Sequence, residues 1–212
     1  MEQTKPINVS ALTKQILNRL QSLGDPEIAA HSQRFFKTGP GEYGEGDIFL
    51  GIRVPVLRSC LRDYRWIPLS EALELLQSPY HEARMLALLI LVAHYGSSRK
   101  EADRRDIYEA YLQHTRFINN WDLVDCSAQY IVGAHLLSRD RKPLYTLAQS
   151  RDLWERRIAV VATFAFIRQG EFADTLALAE ILVHDSEDLI HKAVGWMLRE
   201  VGKRDQGVLE GL

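Results

Sequence analysis

Cysteine is scarce in this chain. Its 212 residues include two, Cys60 and Cys126, and neither sits in a Cys-x-x-Cys pattern. That excludes a disulfide framework and a cysteine-based zinc site, and points to reduced thiols in a cytosolic protein. Long apolar runs are lacking too. The longest, Met85 to Ala93, is far too short to span a bilayer. Residues 1–6 are polar, without the apolar core of a signal peptide. Charge of one sign is also missing: 26 basic residues against 28 acidic ones leave a net charge of −2. Any binding to nucleic acid therefore needs a local basic face. The histidines show no His-Glu-x-x-His or other ligand spacing, so no metal is expected. Residues 38–47 are glycine-rich but acidic, and they lack the Gly-Lys-Ser/Thr ending of a phosphate-binding loop. No segment reads as a convincing strand.

What is present is helix. Leu12, Ile16, Leu17, Leu20 and Leu23 form a 3.6-residue stripe behind Ser10, a candidate cap. Gly24-Asp25-Pro26 ends that helix and opens a second, through Lys37. After the loop, residues 48–54 read as a short extended piece. Further helices are predicted over 54–65, 70–77, 81–95, 99–114, 121–137, 143–149, 152–169, 172–183 and 187–203. In the first of these Leu57, Leu61 and Tyr64 face inward and Arg53, Arg58, Arg62 and Arg65 face outward. Segments 81–95 and 152–169 are apolar nearly all round, as buried helices are. Trp66 and Trp154 read as packing residues, and Cys126 as a small core residue.

Segments 79–87, 153–160 and 189–196 look alike: an apolar or aromatic residue, then one or two basic ones, then small apolar residues. Aligning Arg84 with Arg157 gives a spacing of 73 residues, and Arg157 with Ala193 gives 36. Helix pairs with such a period predict an all-α, HEAT-like repeat solenoid of antiparallel helix pairs with a concave groove, formed as one domain over residues 1–212. Trp121, Asp125, Arg157, Lys192 and Trp196 fall on the inner helices, so this fold would gather them although they are scattered in sequence.

The stretch 118–125 carries the sharpest chemical signal. Asn119 or Asn120 can cap a helix there, with Asp122 in the first turn, where the helix dipole favours an anion. Trp121 and Asp125 are four residues apart and share one face. An indole and a carboxylate side by side suit a flat or cationic ligand. The same pair is what a packed indole and an aspartate paired to an arginine elsewhere would also give, and structural ion pairs are common.

Residues 120–125, 153–157, 192–200 and 49–58 together resemble the AlkD-like DNA alkylation repair glycosylases, and the likeness runs from about residue 25 to 205. The resemblance implies HEAT-like repeats and removal of cationic N3- and N7-alkylated purines from duplex DNA, a step of base excision repair, without metal or organic cofactor. It implies a monomer in a bacterial-type cytosol, acting on double-stranded DNA with alkylated bases. By this likeness Asp125 is the catalytic carboxylate, Trp121 and Trp196 are aromatic walls beside the damaged nucleotide, and Arg157 grips the DNA backbone. Arg156, Lys192 and Arg199 would add phosphate contacts. Phe35 stands where the pattern has a third wall, a tyrosine; it keeps the ring face and loses the hydroxyl. Two features depart from the pattern. The loop at 38–47 interrupts it, and the closing helices expected after Lys203 are missing.

Such residues suit such chemistry. A purine alkylated at N3 or N7 is already a cationic leaving group, so an ionised carboxylate near the sugar supplies the needed electrostatic stabilisation. Indole faces attract cations, by roughly 0.5–2 kcal/mol each. Two other readings stay open on the sequence: a non-catalytic binder of distorted DNA, and a protein-interaction scaffold.

Overall fold

The computed structural model describes residues 9–210. The chain divides into two compact units, one ending at Ile90 and the other starting at Leu91. Among the described residues there is no strand; the single β-bridge, Ile48 to Tyr80, stands alone. The all-α expectation therefore holds.

The first unit opens with α1 (Ala11–Ser22), α2 (Pro26–Phe35), α3 (Val54–Tyr64) and α4 (Leu69–Leu76). Local chemistry sets their ends. Ser10 Oγ accepts from Thr13 N at 3.0 Å, and Asp25 Oδ1 accepts from Glu27 N at 2.9 Å with Pro26 in the first turn. Ser10 N also donates to Glu74 Oε1 at 2.6 Å, which ties α1 to α4. On α3, Leu57 and Cys60 are buried, Leu61 and Tyr64 are half-buried, and Arg53, Arg58, Arg62 and Arg65 face outward.

Between α2 and α3 the chain is held by side chains and not by a β-ladder. Glu82 accepts from the backbone N–H groups of Leu50, Gly51 and Ile52 at 2.8, 2.8 and 3.1 Å. Gly51 is in the left-handed region (φ 82°), and a Cβ there would lie 2.0 Å from Asp25 O. Only glycine fits. Phe36 stacks on Phe49, and Phe49 on His81, with centroids 4.9 and 4.3 Å apart.

Helix α5 (His81–Ser97) carries the chain from one unit into the other, with most of its residues buried. The second unit continues with α6 (Glu101–Gln113), α7 (Trp121–Asp125), α8 (Ala134–Leu136), α9 (Lys142–Ala148), α10 (Leu153–Ala162), α11 (Phe164–Ile167), α12 (Ala173–Leu182), α13 (Asp188–Gly202) and α14 (Gln206–Glu210). Its centre is α10, which packs against α7, α9 and α13. From Ile158 to Ala162 every residue of α10 is fully buried.

Three expectations change. The helix predicted over 121–137 breaks after Asp125 and resumes through a π-turn at Gln129–Gly133. Ser127 Oγ donates back to Leu123 O at 2.6 Å, a local bond that competes with a continuous helix. A Cβ on Gly133 would lie 2.1 Å from Ala162 O, so the glycine lets the two backbones touch. The helix predicted over 152–169 is likewise interrupted at Thr163, whose Oγ1 donates to Val160 O at 2.7 Å. Trp66 is not a packing residue: it is 65% exposed, while Ile67 takes the core position beside it. Trp154, in contrast, is buried as expected. Cys126 is half-buried, with Sγ 3.4 Å from Leu123 O. After α13 the short α14 packs back on it.

The repeat shifts by one residue. Arg84 Nη1 donates to the carbonyls of Ser78 and Pro79, six and five residues back. Arg156 Nη1 does the same to Ser150 and Arg151. Arg84 therefore corresponds to Arg156, a spacing of 72 residues, and not to Arg157.

Candidate active site

The centre of the site is a pair joined across two helices. Asp125 ends α7 and Arg157 sits in the second turn of α10. Arg157 Nε donates to Asp125 Oδ1 and Nη2 donates to Oδ2, both at 2.9 Å. The fork-to-fork geometry fixes the carboxylate plane. Nη1 donates to Leu189 O at 2.6 Å, which fixes the guanidinium against the start of α13. The arginine left unnamed by the sequence as a structural partner of Asp125 is thus Arg157.

Each helix is placed by short-range chemistry. Asn120, fully buried, caps α7 through Oδ1 to Trp121 N at 2.9 Å. Asp152 caps α10 through Oδ1 to Trp154 N at 2.7 Å. Glu155 then links the two: its carboxylate accepts from Thr115 Oγ1 at 2.7 Å and Ser150 Oγ at 2.5 Å. Through Thr115 the chain entering α7 is tied to α10, and through Ser150 the turn before α10 is tied to that helix's first turn.

Burial pushes the Asp125 carboxyl up. The bonds and charge of Arg157 pull it down without cancelling the rise, and Asp122 adds to it. The net is a carboxyl above the ordinary aspartate value. Its side chain keeps 22% of its surface exposed, whereas that of Arg157 keeps 6%. Trp121 is half-buried at the start of the same helix. Trp196, half-buried on α13, lies tilted against Phe164 at 5.8 Å between centroids.

The DNA alkylation repair enzyme family model matches residues 16–211. The chain belongs to the DNA alkylation repair enzyme family. A solved structure described as a predicted DNA alkylation repair enzyme from Enterococcus faecalis shares the fold at a TM-score of 0.66 and 19% identity. That match covers 89% of this chain and 87% of the other. No curated protein matches the chain.

The other residues singled out in this alkylation repair protein divide sharply. Arg156 is committed inside the fold: Nε and Nη2 donate to Asp185 at 2.6 and 3.2 Å, and Nη1 to two carbonyls. It joins α10 to the turn before α13. Asp185 was not legible as its partner, because an acid in a polar turn carries no periodic signal. Lys192 is exposed and pairs with Asp188 one turn away at 2.6 Å, a solvent-screened contact of little strength. Arg199 is exposed on the same stripe of α13. Phe35 belongs to the first unit, is 59% exposed, and meets Phe36 edge-on at 5.0 Å. Among the described residues no group of three or more His, Cys, Asp or Glu side chains is placed to hold a metal ion. No described helix is long and apolar enough to cross a membrane.

Proposed function

We propose that this family member is a monofunctional DNA glycosylase that releases cationic N3- or N7-alkylated purines from duplex DNA. The observation that carries the reading is Asp125: a partly exposed carboxylate, fixed in orientation by a buried bidentate arginine, at the end of the short helix that Trp121 opens. Each carboxylate oxygen has a second lone-pair direction beyond the one Arg157 uses. The group can therefore hold its arginine and still present negative charge to a sugar. In the reaction the bond from the sugar carbon to the base nitrogen breaks, and its electron pair leaves with the base, neutralising the purine cation. Asp125 stabilises the oxocarbenium-like sugar, and a water adds to the sugar carbon and loses its proton to solvent.

In this reading Trp121 and Trp196 favour the cationic nucleotide. Arg157 is a positioning residue for Asp125 and not a phosphate contact, since three of its donors are used inside the fold. Exposed Lys192 and Arg199 contact phosphates, which supply affinity and not sequence preference. Phe35 supplies an exposed ring face, and Arg156 keeps its structural pairing with Asp185.

One feature favours a second reading. The Asp125–Arg157 pair is complete without any ligand, as it would be in a DNA-binding protein that cleaves nothing. Release of 7-methylguanine from a methylated duplex separates the two. The wild type is expected to release the base, and Asp125→Asn to bind the duplex without releasing it. Equal release by both would remove Asp125 from the chemistry. Duplex binding with no release by either would leave the binder.

A further inference from the structure

The second unit holds a cavity of about 410 Å³ outside the Asp125 pair. The π-turn builds one side of it with Gln129 and Tyr130, followed by Ala134 at the start of α8; the end of α5 supplies Tyr95, α6 supplies Arg104, and the segment after α11 supplies Arg168. Single π-turns inside helices recur at functional sites. The volume is that of a small-molecule pocket.

Its charge is unbalanced. Arg104 and Arg168 both line the cavity, and no carboxylate does. Neither arginine makes an ion pair among the described residues, although Arg139, Arg141, Arg156 and Arg157 of the same unit all close on acids. Arg104 Nε is buried with no hydrogen-bond partner. Each of the two cations lies instead over aromatic rings: Arg104 over Tyr95 of the cavity at 5.7 Å, and Arg168 over Phe164 beside the cavity at 4.5 Å and over Tyr130 of the cavity at 5.6 Å. Gln129 is 6% exposed, and its Oε1 is buried without a partner. Apart from Gln169, the remaining lining is apolar, with Val92, Leu137 and Ala165 among it.

Two unneutralised guanidinium groups call for an anion. Tyrosine rings and aliphatic walls call for a flat ring. An unsatisfied buried amide calls for a hydrogen-bonding edge, reached by a turn of the Gln129 side chain. A purine nucleoside monophosphate has all three. We propose that this cavity binds a purine nucleotide, either free or as the unstacked terminal nucleotide of a strand, with the phosphate on Arg104 and Arg168 and the base between the tyrosines. This does not depend on the role given to Asp125.

The test is calorimetric titration of the full chain with deoxyadenosine monophosphate, beside deoxyadenosine and inorganic phosphate. The monophosphate is expected to bind more tightly than either fragment. Arg168→Ala, an exposed change that leaves the core intact, and Arg104→Met are each expected to weaken it roughly tenfold or more. Asp125→Asn is expected to leave it unchanged. A 5′-phosphorylated single strand that displaces the monophosphate and binds more tightly assigns the pocket to a strand end; failure to displace it assigns a free nucleotide. Equal affinity in wild type and both arginine variants would overturn the proposal. So would phosphate binding as tightly as the nucleotide, loss of binding in Asp125→Asn alone, or no binding by the wild type.

Discussion

Each unit buries an aspartate against an arginine, and the two pairs differ in what else reaches the carboxylate. In the first unit Asp47 ends the glycine-rich loop and meets both Arg84 and His81, with Nδ1 of the histidine 3.0 Å from Oδ2. Its side chain is 3% exposed. Burial pushes this carboxyl up, but the His81 hydrogen bond and the charges of Arg84 and His81 outweigh it and hold the group below the ordinary aspartate value. In the second unit Asp125 has one cationic partner, more exposed surface, and a carboxyl above the ordinary value. A carboxylate closed in on all sides leaves no surface for a ligand to reach. One with a single bidentate partner and an open face does. The comparison teaches that a buried Asp–Arg pair is not itself a functional signal; the unfilled side of it is.

The largest effect should come from the closed pair. Asp47→Asn leaves Arg84 a buried charge without its counterion, and removing one partner of a buried pair costs about 3–5 kcal/mol. A fall in Tm of roughly 10 °C or more is expected, with base release per folded molecule unchanged at a temperature where the variant stays folded. A Tm that hardly moves would show that this buried pair contributes little to the fold of the first unit. Next comes Asp125→Asn, which keeps a hydrogen-bonding partner for Arg157 but removes the charge. Base release should fall about 10²–10³-fold, with Tm dropping less than for Asp47→Asn. If the order of the two stability losses were reversed, Asp125 would be the structural member of the comparison.

Much of this was legible in the sequence where the determinants are local. Ser10 and Asn120, both read as candidate caps, do cap their helices, because a short polar side chain needs only its next few N–H groups; Asp25 and Asp152 cap theirs in the same way. The loop at 38–47 follows from its glycines. The breaks at Ser127 and Thr163 were not legible, because a hydroxyl that bonds back to a carbonyl looks like any small residue in an apolar pattern. Trp66 and Trp154 are alike in sequence and opposite in burial, since burial is set by what packs against them. Arg156 and Arg157 are adjacent and basic, yet one closes on Asp185 and the other on Asp125. Only the shared bonds of Arg84 and Arg156 to carbonyls five and six residues back reveal the true register of the repeat.

Acid should separate the two pairs along the pH axis. The folded Asp47 carboxyl lies below the ordinary value of 3.8, so its contribution to stability is full above that value and is lost only as pH falls through the lower folded one. The folded Asp125 carboxyl lies above 3.8, so ionisation at neutral pH costs folding some stability, and acidification relieves that cost. Catalysis needs the carboxylate. The single-turnover rate, corrected for spontaneous depurination, should therefore fall with a midpoint above pH 3.8 while circular dichroism still reports a folded chain. A rate that holds until the fold is lost would contradict the raised carboxyl.

The smallest effects should lie on the exposed stripe of α13, where neither pair is touched. Lys192 is bonded only to a solvent-exposed Asp188, and Arg199 makes no ion pair among the described residues. If each meets one phosphate, Lys192→Ala and Arg199→Ala should each reduce the slope of log affinity against log salt by about one. Base release at saturating DNA should stay within about twofold of wild type, because a phosphate contact holds ground state and transition state alike. Tm should hardly move, since surface substitutions away from buried networks stay within about 0.5 kcal/mol. A changed release rate with an unchanged salt slope would move Lys192 or Arg199 from the binding face to the chemistry, and the open side of the Asp125 pair would then have to be drawn toward α13.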